Sequence, residues 1–298
     1  MKKTPNDVRR FRGFSTVVLS FLALAALMPI LLIAIGSVTD ENELIRSGYT
    51  YFPAKFSLDS YYYMVKQSQM ILRAYSVTIF VAAAGTLSSL ILTTTLAYPI
   101  ARRNFRYRNA LAFFVFFTML FSGGVVSSYI MWTRIFGIKN TVLALIVPNY
   151  LVTAFNVFLV RNYYVNSIPE ALIESAQIDG AGEFTIFIKV MLPLAIPTIA
   201  TVSLFTAIIY WNDWINGLYY ITDAKLFGIQ NLLIRIMNNI QFLKVSTNIA
   251  LLGTQKVDLP GSSVRMAMAV IGILPIIIIY PFAQKYFIKG VILGAVKG

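Results

Sequence analysis

Histidine and cysteine are both absent from the 298 residues. Without cysteine there is no disulfide, no thiolate metal site and no thiol nucleophile. Without histidine, the commonest metal ligand and general base is gone as well. Charge is scarce too: charged side chains make up 12% of the chain, against about 25% in an average soluble domain. The sequence has no Gly-x-x-x-x-Gly-Lys-Ser/Thr phosphate loop. Gly253-Thr-Gln-Lys and Gly261-Ser-Ser-Val lack the second glycine and the lysine at the spacing that would cradle phosphates. No nucleophile elbow, metal-ligand cluster or membrane-embedded carboxylate pair stands out either. Such a chain is expected to carry no catalytic residue, no metal and no cofactor of its own.

What the sequence has in excess is apolar surface. Hydrophobic residues are 58% of the chain and the mean hydropathy is +0.72. They come in runs of about 20, the length a helix needs to cross roughly 30 Å of hydrocarbon. The expected fold is therefore all-α, a polytopic membrane protein with six helices over 14–38, 75–100, 110–133, 141–161, 194–216 and 266–288. The run from Phe14 to Val38 is too long for a signal-peptide core and reads as a retained helix. Lysine and arginine outnumber aspartate and glutamate, 25 to 12. The bases lie beside the apolar runs, where they suit lipid head groups and topology; the expected partner is membrane lipid and not nucleic acid.

The same charges orient the chain. Lys2, Lys3, Arg9, Arg10 and Arg12 in an arm over 1–13, and Arg102, Arg103, Arg106 and Arg108 after the second run, are expected in the cytoplasm. Both termini then lie inside. The links 39–74, 134–140 and 217–265 face outward. The core, 75–288, encloses a cytoplasmic loop over 166–193, and residues 289–298 form a cytoplasmic tail.

Within the runs, Ala84, Gly85, Ser88, Ser89, Thr93, Thr94 and Thr95 fit either close helix packing or a solute-lining face. Asp213 stands in Tyr210-Trp-Asn-Asp-Trp-Ile-Asn216 near the outer interface. Trp211 and Trp214 there fit an aromatic belt. Together with Asn212, Asp213 and Asn216 they also fit a solute path or outer gate, because sugars are held by aromatic faces and planar polar groups. Asn149 and Asn156 are candidates by the same logic. The outward link 217–265 is net basic, with Lys225, Arg235, Lys244, Lys256 and Arg265 against Asp223 and Asp258. That suits docking of a binding protein or attraction of an acidic solute.

One ordered pattern interrupts the hydrophobicity, between Asn166 and Pro197. Ser167, Pro169 and Glu170 read as a capping box opening a short helix, with Ser167 receiving the amide of Glu170 and Glu170 reaching back. Ile168, Ala171, Leu172, Ser175 and Ala176 share one face, and Glu170, Glu174 and Gln177 another. Gly180 permits the left-handed turn that ends it. An amphipathic cytoplasmic helix with glutamates and few bases suits docking to a protein better than lying on an anionic leaflet.

These residues carry a resemblance. Glu174-Ser175-Ala176, then Gly180, then Val190, Leu192 and Pro193 match the order and spacing of the EAA loop of bacterial binding-protein-dependent ABC importers. Ser175 replaces an alanine and Val190 an isoleucine. Ile178-Asp179-Gly180-Ala181 and the terminal 290–298 resemble the second permease of maltose-type importers. Ser47-Gly-Tyr-Thr-Tyr-Phe-Pro53 is similar to a subgroup handling polysaccharide-derived oligosaccharides.

The resemblance implies a type I importer permease in the bacterial cytoplasmic (inner) membrane and a heterodimer with a second permease subunit. It also implies two ATP-binding subunits that hold the ATP and Mg, and an extracytoplasmic solute-binding protein. The carbohydrate cargo would be an oligosaccharide, and an acidic one such as alginate oligomers on the charge of the outer link. By the same resemblance, coupling to the ATPase falls on Glu170, Glu174, Ala176, Asp179, Gly180, Leu192 and Pro193. Glu174 would be the electrostatic anchor, Ala176 would allow close approach and Gly180 would set the turn; the tail 290–298 would also reach the ATPases. A secondary active solute transporter is the alternative, but it is expected to show coupling carboxylates or broken helices near the bilayer midplane, often with repeats.

Overall fold

A computed structural model of the chain describes residues 6–250 and 261–295. Residues 1–5 of the expected arm, 251–260 of the last outward link (with Lys256 and Asp258) and 296–298 of the expected tail lie outside the described residues. Helices dominate, and the extended pairing among the described residues is one isolated antiparallel bridge, Thr39 with Phe56. The chain forms two compact units, residues 1–69 with 235–275 and residues 70–234 with 276–298.

The first unit opens with α1 (Asn6–Ser37). The apolar window of its Arg10–Ser37 stretch is 0% buried. Such an apolar helix, open on all sides within this chain, suits contact with lipid or with another subunit. After it, Asp40 caps α2 (Glu41–Ser47) by accepting the amides of Asn42 at 3.1 Å and Glu43 at 3.4 Å. Lys55 donates to the other oxygen of Asp40 at 2.9 Å. The Ser37 hydroxyl meets the hydroxyl of Tyr61 in α3 (Asp59–Lys66) at 2.8 Å. Glu41 closes this unit: its carboxylate accepts the amides of Ser262 and Ser263 and the Ser263 hydroxyl, each at 2.8 Å. Those amides open the last helix, α15 (Ser262–Ala295), where an orphan donor needs a partner and the helix dipole favours a negative charge.

The second unit is organised by α4 (Ser68–Ala101). Thr78, Val81, Gly85, Ser89, Thr93, Ala97 and Ile100 are buried along it at helical spacing, one stripe on one face. At Gly85 an added Cβ would lie 2.6–2.8 Å from the Tyr210 ring. Close packing therefore accounts for the small residue there. Two clusters fill this unit. One, around Ala97, Ile100, Val160, Tyr164, Ile173, Ile186 and Met191, seats the segment with the ordered pattern. The other, around Val81, Leu145, Tyr210 and Tyr220, packs on the first half of α4.

Three expected spans are broken. The run 110–133 divides into α5 (Arg108–Leu120) and α6 (Gly124–Ile130), bent by 115°. Phe121 is extended there and Gly124 takes φ +76°. The run 141–161 divides into α7 (Leu143–Ile146) and α8 (Ala154–Ser167). Pro148 lacks an amide donor and Asn149 sits at φ +68°. The loop expected over 166–193 folds as α9 (Glu170–Ile178), α10 (Glu183–Ile186), a π turn Phe187–Met191 and the start of α11 (Leu192–Leu194). The run 194–216 takes in the end of α11, α12 (Ile196–Trp211) and the start of α13 (Ile215–Tyr220). The Glu183–Leu194 stretch meets α12 at 77°. Pro193 and Pro197, on either side of this bend, each lack an amide donor.

Two described helices, Arg10–Ser37 and Ser68–Ala101, are each long and apolar enough to cross a membrane, or up to four if each bent pair counts as one span. The link 217–265, expected to face outward, is not simply a loop, since α14 (Ile229–Ala250) occupies much of it. The tail expected from 289 is helical as far as Ala295, a continuation of α15.

Candidate functional site

The chain from Ser167 to Pro193 folds as α9, a tight turn and α10, all within the second unit. The expected capping box does not form. Ser167 is the last residue of α8 and so cannot cap the next helix; Pro169 occupies the cap position of α9 with no side-chain hydrogen bond. The Glu170 carboxylate turns to Arg103 instead, at 3.3 Å.

The C-terminal end is as expected. Gly180 has φ +80°, its amide donates to the Gln177 carbonyl at 3.0 Å, and the Ala181 amide reaches the Ala176 carbonyl at 2.9 Å. These two bonds form a Schellman motif, which satisfies carbonyls that a helix end leaves orphaned. Asp179 is the exposed cap residue just before it.

The faces of α9 differ from the expected division. Ile173 is buried and Ala176 packs beside it against the cluster, while Ile168 is buried just before the helix. Ala171, Glu174, Ser175 and Ile178 are exposed, with Ile178 at 86%. Those four follow i, i+3, i+4, i+7 and form one outward face. The glutamate therefore stands among small and apolar side chains, where the sequence pattern had put it on a separate face. Ile173, one position from the motif glutamate, carries the burial that the pattern had assigned to Leu172. Leu192 is half-buried and Pro193 exposed at the bend into α12.

Arginines that the sequence marked only as topology signals hold this segment. The Arg102 guanidinium donates to Glu183 Oε1 at 3.0 Å, and the Tyr98 hydroxyl donates to the same carboxylate. Gln177 of α9 adds a third donor at 3.3 Å. Glu183, Tyr98, Arg102, Arg103 and Gln177 as a set were not legible as a site. The available signal was that Glu170, Glu174, Asp179 and Glu183 are the acids between the fourth and fifth apolar runs, with four arginines in the link after the second run.

Several candidate solute-path residues converge elsewhere in the same unit. Asn149 Nδ2 donates to Asn216 Oδ1 at 2.8 Å, and Asn216 Nδ2 to the Pro148 carbonyl at 3.0 Å. Tyr150 donates to Asp213 Oδ1 at 3.2 Å, and that oxygen also accepts the amides of Ile215 and Asn216, at 3.0 and 3.1 Å. The cluster ties the α7–α8 break to the α12–α13 break. Asn216 is fully buried. Trp211 is buried with its ring 6.2 Å from that of Tyr75, whereas Asn212 and Trp214 are exposed. Asn156 stands apart from this group, buried and donating to Thr206 at 3.3 Å. Between α4 and α12 there is a cavity of about 460 Å³, lined by residues that include Ala82, Ala83, Thr86, Ser203, Ala207 and Trp211.

Comparison with known proteins gives these features a context. Residues 89–293 match the family described as binding-protein-dependent transport system inner membrane component. The chain is 36% identical to the polygalacturonan/rhamnogalacturonan transport system permease protein YtcP of Bacillus subtilis, over 96% of this chain and 99% of that protein. It is 38% identical to the protein LplC of the same organism, over 91% of this chain and 90% of that one. Among solved structures it is similar to a chain of a bacterial ABC transporter involved in the import of the acidic polysaccharide alginate. That match has a TM-score of 0.76 at 28% identity, covering 96% of this chain and all of that one.

Proposed function

The chain belongs to the family of binding-protein-dependent transport system inner membrane components, and on that premise we propose that it is one half of a heterodimeric permease importing an acidic oligosaccharide. It is a permease subunit of an ABC importer. Its partners are a second permease, two ATP-binding subunits that hold ATP and Mg, and an extracytoplasmic solute-binding protein. We read six spans, with the bent pairs counted as crossings, and both termini in the cytoplasm. On this reading the arm 1–13, the first helix with its outer loop 14–74, the core 75–288 and the tail 289–298 divide the chain as its charges suggest.

One observation carries the coupling role: the outward face Ala171, Glu174, Ser175 and Ile178 on a short helix closed by a Schellman turn. A small-residue face permits close approach of a protein partner, an exposed apolar Ile178 gains by burial there, and Glu174 offers a charge for a basic group. The helix docks in the ATP-binding subunit. Closure of the ATPase pair on ATP moves it, and the spans switch the solute cavity between outward and inward openings. The energy enters as the different affinity of the two conformations for ATP and for loaded binding protein. Glu170, Asp179, Gly180, Leu192 and Pro193 shape the segment that receives this motion.

For the solute path we propose Asn149, Asn156, Trp211, Asn212, Asp213, Trp214 and Asn216, with exposed Trp214 and Asn212 as first contacts and the buried amides as the gate's frame. The acidic cargo is supported by the net basic outer link and by the alginate-importing neighbour. Glu174→Lys tests the coupling: the variant inserts and pairs with the second permease, but transport per ATP hydrolysed collapses and the ATPases wash off more readily. Normal coupling in that variant refutes the reading. Uptake of neutral against acidic oligomers tests the cargo, and equal uptake at every salt concentration refutes the acidic preference.

A further inference from the structure

The coupling segment is joined to the membrane helices on either side of it, α8 and α12, by the chain itself. It is also held by a side-chain clamp to a helix distant in sequence, the end of α4. Three donors from two elements converge on one carboxylate: Arg102 at 3.0 Å and Tyr98 from the end of α4, and Gln177 at 3.3 Å from α9. The Arg102 side chain is 10% exposed. The Glu183 side chain is 58% exposed, so the pair is half open to water; its Arg102 end is the part shielded from solvent, where a guanidinium needs a partner. Arg103 pairs with Glu170 at the other end of α9 in a more exposed contact. Arg103 thus holds the start of α9 directly, and Arg102 reaches its last turn only through Glu183 of α10, to which Gln177 also donates. Beneath the clamp, Ala97 and Ile100 of α4 share a cluster with Ile173, Ile186 and Met191, and the Tyr98 ring lies 5.1 Å from that of Phe187. The link between α9 and α4 is made by side chains, through Glu183 and through this cluster.

We propose that Glu183 is the positioning residue that makes α9 and the cytoplasmic end of α4 move as one body, so that force received by the coupling helix enters the second apolar helix directly. Glu183 opens α10 just after the turn, and its partners Tyr98, Arg102 and Gln177 are not among the four residues of the outward face of α9. The proposal rests on the reading of α9 as the coupling helix. A packed, hydrogen-bonded contact of this kind transmits a displacement because it has no intermediate arrangement to relax into.

The test uses the whole transporter in proteoliposomes, with oligosaccharide moved per ATP hydrolysed as the readout. Glu183→Ala is expected to lower that ratio about tenfold while assembly with the ATPases, measured by co-purification, is kept. Glu183→Gln retains one acceptor for Arg102 and stays within about threefold of wild type, and the exchange Arg102→Glu with Glu183→Arg recovers much of the loss of either single variant. Because the chain has no native cysteine, spin labels at Thr95 and Asp179 report the clamp independently of transport. Their separation is expected to hold constant on adding ATP in the wild type and to change in Glu183→Ala, a result that also serves if that variant couples too poorly to assay. A wild-type ratio in Glu183→Ala, or a label separation that varies equally in both proteins, overturns the proposal. Glu174→Lys, run in parallel, separates the two ideas: it leaves the label separation constant, and a normal ratio in that variant refutes docking through α9 and not the clamp.

Discussion

Gly85→Ala should loosen the second unit at one identifiable contact. The new Cβ would lie 2.6, 2.7 and 2.8 Å from three atoms of the Tyr210 ring. Ordinary contact begins near 3.4 Å, so one partner must retreat by roughly 0.6–0.8 Å in a close-packed interior. Tyr210 has little room to do so. It is 2% exposed, its hydroxyl donates to the Ile146 carbonyl at 2.8 Å, and its ring meets Tyr150 edge-on at 5.7 Å. Overpacking costs about 1–3 kcal/mol, and stretching the hydroxyl bond adds about 1 kcal/mol. Against this, alanine in a helix interior gains about 1 kcal/mol over glycine. The net expectation is a loss of about 1–3 kcal/mol. Reversible unfolding in mixed micelles, read as a shift of the midpoint, measures it. Repeating the change in a Tyr210→Ala background removes the obstacle, and there Gly85→Ala should be neutral or stabilising by up to about 1 kcal/mol. An equal penalty in both backgrounds refutes the steric argument, because the cost would then come from something other than the ring.

Gly180→Asn should behave nearly as wild type in transport, while Gly180→Val should be strongly impaired; at φ +80° with open space around the missing Cβ the difference is one of backbone alone, and equal activity of the two excludes it. Asn216→Ala strands the Pro148 carbonyl in a buried site, so it should cost about 1–3 kcal/mol, visible as earlier heat inactivation of the assembled transporter. Glu41 gives a pH dependence: burial raises its pKa, but the Ser262 and Ser263 donors outweigh this and hold it below the ordinary 4.5. Its contribution to stability is therefore complete above that value and is lost as pH falls through the lowered one. The stability gap between wild type and Glu41→Gln should then be constant at neutral pH and close on acidification below about 4.5; a gap that widens in acid contradicts the assignment.

Much of this molecule could be read before any coordinates. Apolar runs and the scarcity of charge require a bilayer because no water-soluble fold could hide that surface. Gly180 was legible because only a residue tolerating positive φ can end α9 there. The failures were those of long-range partners. Ser167 looked like a cap in isolation, but the preceding helix claimed it. The face of α9 was misassigned because a 3.6-residue period says that one side is buried, and the cluster of Ile100, Tyr164 and Met191 decides which side.

The sequence by itself determined that this chain lives in a membrane, carries no ATPase loop, and presents a short helix with an EAA-type pattern. Those properties are local, set by hydropathy, spacing and the backbone preferences of single residues. Only the tertiary structure decided that 110–133 and 141–161 break, that Asp213 and Asn216 tie two of the breaks together, and that Arg102 and Glu183, distant in sequence, grip one another. Each of these depends on which groups meet once the helices pack. A lost backbone partner or a buried charge takes whatever complement the fold brings within reach, and no period along the chain records that choice.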